Sequence, residues 1–96
     1  MFTFKEYKNC HIDRQGFGAG TRYDICTKDG EIITSINYPN YGESESIIAV
    51  RDHSENAGML DWLMAEGVVI DFLKTMPSGF ILIPVVQIDV EALMAL

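Results

Sequence analysis

The segment that most restricts how this chain can fold is Met76-Pro77-Ser78-Gly79-Phe80-Ile81-Leu82-Ile83-Pro84-Val85-Val86. From Phe80 to Val86 every residue except Pro84 is branched aliphatic or aromatic, and Pro77-Ser78-Gly79 punctuates the start. A short apolar run bounded by turn residues predicts a buried strand. Proline cannot donate to a ladder, so Pro84 predicts an edge position or a bulge. The rest of the chain must cover this strand.

Phe2, Phe4 and Tyr7 alternate with polar residues and predict a first strand, running with a break to Ile12. Gln15-Gly16-Phe17-Gly18-Ala19-Gly20 follows. Its spacing is Gly-x-Gly-x-Gly, with a strand rather than a helix after it, so it predicts a hairpin loop and not a dinucleotide fingerprint. Thr21 to Thr27 alternates again. Asp29-Gly30 at the centre of Lys28-Asp29-Gly30-Glu31 predicts a two-residue type I′ turn with Lys28 opposite Glu31. That register sets Ile25 opposite Thr34 and Tyr23 opposite Ile36. It gives a core face of Tyr23, Ile25, Thr27, Ile32, Thr34 and Ile36.

Pro39 and Gly42 end this strand, and Ser46 to Arg51 reads as the fourth strand of a meander. Met59, Leu60, Leu63 and Met64 form one stripe at helical spacing, with Trp62 beside it. Ser54 as N-cap, Glu55 in the first turn and Gly67 just past the end predict a helix over 55–66. Val68 to Leu73 reads as another strand, Lys74 to Gly79 as a turn, and Asp89 as the cap of a last helix over 90–96. The fold class expected is α+β: an antiparallel β-meander of four to six strands with one or two short helices packed on one face. Residues 1–96 form a single domain.

The net charge is −7 and it is unevenly placed. Residues 1–42 carry five basic and five acidic groups, whereas residues 43–96 carry two basic and nine acidic. Phosphate neutralisation needs clustered Lys and Arg, so direct nucleic-acid binding is not expected. An acidic face suits a basic partner, or serves solubility alone. No apolar run is long enough for a membrane helix and the N-terminus lacks a signal-peptide core, which predicts a cytoplasmic protein with no membrane contact. So short a chain buries a modest core, and a homo-oligomer fits that size.

The residues able to do chemistry are few. Cys10 and Cys26 are expected as free thiols. His11 and His53 are the only histidines, and no Cys-x-x-Cys or His-x-x-x-His pair supports zinc. His53 lies between Asp52 and Ser54, but neighbours on one chain rarely meet in triad geometry. No metal, no cofactor and no catalytic residue is expected. Arg14 and Arg22 flank the glycine-rich loop, and Tyr23 and Tyr38 could stack a base, so these four are the candidate nucleotide-binding residues. Tyr41, Glu43, Glu45, Asp52 and Glu55 are the candidate partner-binding residues of the acidic half.

Thr34-x-x-Asn37, Asn56, Gly67, and then Ser78-Gly79-Phe80 leading to Pro84 and a short terminal helix, follow one another in a recognisable order. In this the chain resembles, over residues 20–95, a family of small proteins of unknown function carried by phages and other bacterial mobile elements. The resemblance implies an accessory gene product that counters bacterial defence. The resemblance supplies this setting and no mechanism; the charge distribution and the arginine-flanked glycine loop motivate two binding readings. One is an inhibitor that binds a host protein through the acidic second half. The other is a sponge that sequesters a nucleotide second messenger. An enzyme is the third and least expected reading.

Overall fold

The computed structural model describes every residue except Ala19, Gly42 and Glu43, and of Phe17 the backbone alone. Among the described residues, seven strands form two sheets, joined by two α-helices and one 3₁₀ turn. The first sheet has the order β1-β2-β3-β4, from Phe2–Phe4, Tyr7–Phe17, Gly20–Cys26 and Ile32–Ser35. The second has the order β5-β7-β6, from Ile47–Ala49, Ile81–Ile88 and Val69–Ser78. All pairings are antiparallel. The α+β class is as expected, with one change in its make-up. The segment 46–51 is not the fourth strand of the meander but part of the second sheet.

The N-terminal stretch is a hairpin and not one broken strand. Phe4 pairs with Tyr7, leaving Lys5-Glu6 as the turn. Lys5 takes a left-handed φ of 53°. Neither residue is a turn former, so no sequence signal announced it. In the next hairpin the predicted register of β3 and β4 holds, for a reason the sequence did not show. The loop is three residues, not two. Gly30 N–H donates to the Thr27 carbonyl, Thr27 N–H donates to the Glu31 carbonyl, and Gly30 sits at φ 90°. This is a turn closed by a left-handed glycine. It places Thr27, not Lys28, opposite Glu31. A bulge between Ile25 and Cys26 then restores the pairing of Ile25 with Thr34. Ile32 is turned outward by the same bulge and is exposed, against expectation.

The segment after β4 joins the two sheets. Asn37 bridges to Val50, Tyr38 N–H donates to the Ala49 carbonyl and Arg51 N–H donates to the Ile36 carbonyl. Around this junction lies the main core, which includes Tyr23, Ile25, Ile36, Ile48, Leu63 and Leu93. Each such side chain contributes roughly 1.5–3 kcal/mol by leaving water. A smaller cluster of Ala49, Ile83 and Val85 lies on the other face of the second sheet, with Met76 beside Ile83 on the next strand and Tyr38 packed against it.

Pro84 is buried in β7, the central strand, and not at an edge. The positions of its neighbours explain this. Its carbonyl accepts from Val50 N–H, so its missing N–H also points toward β5, which has ended at Ala49. The bulges lie instead in β6, beside Val69–Asp71 and Phe72–Lys74. β6 also runs on through the segment expected as a turn. Ser78 pairs with Ile81, leaving Gly79-Phe80 as the turn.

The predicted helix over 55–66 divides in two. Ser54–Asn56 is a single 3₁₀ turn, and α1 spans Met59–Ala65. The cap is Asp52, not Ser54: its Oδ1 accepts from the N–H groups of Gly58 and Leu60 at 3.1 and 3.0 Å. Asp52→Ala should therefore cost about 1 kcal/mol in urea denaturation, and Ser54→Ala much less. An equal cost for the two would contradict the assignment. At the other end Gly67, at φ 73°, donates to the Met64 carbonyl, and Val68 donates to Leu63. Leu63 and Val68 are both buried, which completes a Schellman ending. The last helix, α2, spans Val90–Met94 and is capped by Asp89, as expected.

Candidate functional site

Arg14 and Arg22, which flank the glycine loop, are expected as parts of one ligand site. The observed register pairs Arg14 with Tyr23 and Gln15 with Arg22. Directly opposed residues share a face and neighbours alternate, so the two arginines stand on opposite faces of the β2–β3 ribbon. Arg22 Nε donates to both carboxylate oxygens of the buried Asp24, at 3.0 and 2.9 Å. Ser35 donates to the same carboxylate at 2.6 Å. The Asp24 hydrogen bond and charge hold the Arg22 guanidinium above its ordinary pKa.

Tyr23 is fully buried, and its hydroxyl donates to the Glu45 carbonyl at 2.7 Å. Burial pushes its phenol pKa up. Its ring is thus core and not a stacking platform. Arg14 reaches the Glu45 carboxylate at 3.5 Å. One expected ligand residue therefore pairs with one expected partner residue. Tyr38 stacks on His53, with centroids 5.9 Å apart, and meets Tyr41 edge-on. The Arg51 guanidinium lies 5.4 Å from the Tyr38 ring centre. Tyr38 and Tyr41 thus form an aromatic cluster apart from the glycine loop.

Of the remaining partner candidates, Asp52 is engaged as the cap of α1, and Glu43 lies outside the described residues. Glu55 is exposed, and its carbonyl accepts from Lys5 Nζ at 2.7 Å. That contact spans a groove of about 240 Å³ lined by Phe4, Lys5, Tyr7, Thr34 and Asn56 among others. Asn56 is buried there, donating to the Ser35 carbonyl and accepting from Thr34.

Cys10 and Cys26 are free and buried, and they are not opposed: Cys26 pairs with His11. Burial, with Asp13 and Asp24 nearby, pushes the Cys26 thiol pKa up. Its thiolate is thereby disfavoured as a nucleophile or metal ligand. Among the described residues no group of three or more His, Cys, Asp or Glu is placed to hold a metal ion, and no helix is long and apolar enough to cross a membrane.

Two surfaces emerge that the sequence reading did not pick out. The first is acidic. Asp89 N–H donates to the Val68 carbonyl, Val69 pairs with Ile88 and Asp71 with Gln87. This junction of α1, β6, β7 and α2 gathers Glu66, Asp71, Asp89 and Glu91, all exposed. The second is apolar. Phe72, Thr75 and Pro77 share one face of the β6–β7 hairpin with Leu82, and Phe80 is fully exposed at its tip. Comparison with protein-family models, with curated proteins and with solved structures finds no match.

Proposed function

We propose that this chain is a non-enzymatic binding protein, an accessory factor of the phage or mobile-element kind, which inhibits a bacterial defence system by occupying a basic surface of a host protein. The observation that carries the reading is the gathering of Glu66, Asp71, Asp89 and Glu91 at one junction of four elements. Complementary potentials steer association and select partners. The surface therefore suits a protein with clustered Lys and Arg. The defence setting comes from the order of Thr34, Asn37, Asn56, Gly67 and Ser78-Gly79-Phe80.

The test neutralises the surface without changing side-chain shape: Glu66→Gln, Asp71→Asn, Asp89→Asn and Glu91→Gln together. Asn retains the capping oxygen needed at position 89. In defence-equipped bacteria infected by phage, expression of the wild type should restore plaque formation. The neutralised variant should lose at least about tenfold of that effect, as roughly 1.4 kcal/mol of binding would imply, while melting like the wild type. Equal restoration by both proteins would count against the acidic junction.

A further inference from the structure

The distal part of the β6–β7 hairpin is an apolar surface that the fold leaves uncovered. β5 pairs with β7 only from Ala49 to Ile47, opposite Val85 to Gln87. Beyond Pro84 the sheet is a two-stranded ribbon. One face of that ribbon carries Ile83 and Met76, which belong to the smaller cluster against which Tyr38 packs. On the opposite face Leu82 is 68% exposed and Phe72 51%. An isolated two-stranded ribbon is marginal in water, and it gains stability when its apolar face is covered. With Phe80 at the tip, these side chains expose on the order of 400 Å². An apolar patch of that size on a small protein marks an interaction site, and it is about half of the ~800 Å² that each partner contributes to a standard interface.

Charge selects the occupant. In a chain of net charge −7, the segment from Phe72 to Ile88 contains one ionisable residue, Lys74, and no acid. Two copies of so acidic a protein repel one another over most of their surface. At the distal hairpin they can meet without placing carboxylates together. Pro77 shapes the mode of contact. Pro84 faces β5 with its carbonyl, so Thr75 opposite it, and Pro77 two residues on, turn their backbone polar groups to the open edge. Proline offers no N–H there, which blunts strand addition. The face, rather than the edge, is left to bind.

We infer that two copies of this chain pack face to face through Phe72, Thr75, Pro77, Phe80 and Leu82, forming a homodimer. This surface adjoins the acidic junction only where Phe72 follows Asp71, and it contains none of the four junction acids, so either assignment can fail without the other. The experiment is sedimentation equilibrium of the wild type, Leu82→Glu, Thr75→Lys and the fourfold acid-neutralised variant, from about 1 to 500 μM. Both hairpin positions are exposed in one copy, so in dilute solution, where each protein is a monomer, melting of the variants should match the wild type. The wild type should dimerise, and the acid-neutralised variant should dimerise at least as tightly. A buried charge in an apolar interface should raise the dissociation constant of Leu82→Glu and Thr75→Lys at least about tenfold. Added salt should leave the wild-type dimer intact. A wild type that stays monomeric to the highest concentration would overturn the inference and leave the face to a different protein. Variants that dimerise like the wild type, or a dimer dispersed by salt, would overturn it as well.

Discussion

Asn37→Asp should destabilise the protein by about 3 kcal/mol or more, and by more than Asn37→Ala. The Asn37 side chain is buried and serves two backbone groups of β3. Its Oδ1 accepts from Tyr23 N–H at 2.9 Å, and its Nδ2 donates to the Thr21 carbonyl at 2.8 Å. Its own backbone bridges to Val50 in the second sheet. Alanine leaves one donor and one acceptor unpaired, at about 1–3 kcal/mol for a buried group left unsatisfied. Aspartate is nearly the same size but turns a carboxylate oxygen toward a carbonyl oxygen, and it buries a charge. Urea denaturation at neutral pH measures the order. A second signature separates this from a packing defect. Burial raises the pKa of the introduced carboxyl above its unfolded value. Stability from the protonated form is then fully present below the unfolded pKa and is lost as pH rises through the folded one. The deficit of Asn37→Asp relative to the wild type should therefore shrink on acidification. A pH-independent deficit would contradict the account.

Asp24→Ala should cost about 3 kcal/mol, near the lower end for breaking a buried pair, because the Arg22 side chain that remains is 30% exposed and can regain water. Asp24 anchors Arg22 on its own strand and Ser35 on the next. Asp24→Asn keeps an acceptor for Ser35 and should cost less. Thermal melts of both, beside the exposed Asp29→Ala, check the order. If Asp24→Ala melted with Asp29→Ala, Asp24 would not be the anchor its contacts indicate.

Both residues show where sequence reasoning reaches and where it stops. Asn37, Asn56 and Gly67 stand in the ordered motif of the sequence, and each has a structural task. Asn37 joins the sheets, Asn56 ties the 3₁₀ turn to β4, and Gly67 supplies the left-handed helix ending. Periodicity found the stripe of Met59 and Leu63, the Tyr23–Ile25–Ile36 face and the terminal helix, because burial imposes those periods directly. The register of β2 and β3 was not legible. Three alternating glycines do not fix where the loop turns, and the observed pairing sets Arg14 opposite Tyr23 and Gln15 opposite Arg22. A one-residue slip turns every side chain to the other face, and with it went the arginine site. Alternation turns Asp24 away from the Tyr23–Ile25 face, and the partners that offset its burial lie two and eleven residues away.

The candidate surfaces were hidden for a different reason. Glu66, Asp71, Asp89 and Glu91 meet only because Asp89 bonds to Val68 across the sheet. No spacing in the chain announces that contact. The apolar run was read as wholly buried because hydropathy cannot tell a strand covered on both faces from a ribbon covered on one. Leu82 and Phe80 look no different in sequence from Ile83 and Val85.

The measurement that bears most directly on the binding reading is the salt dependence of partner capture, with wild type and neutralised variant compared over about 50 to 500 mM salt, where screening tightens severalfold. The partner retained by the wild type should be released progressively as salt rises, and the neutralised variant should capture it weakly at every salt. Capture that is insensitive to salt and equal for both proteins would contradict the assignment of binding to the acidic junction.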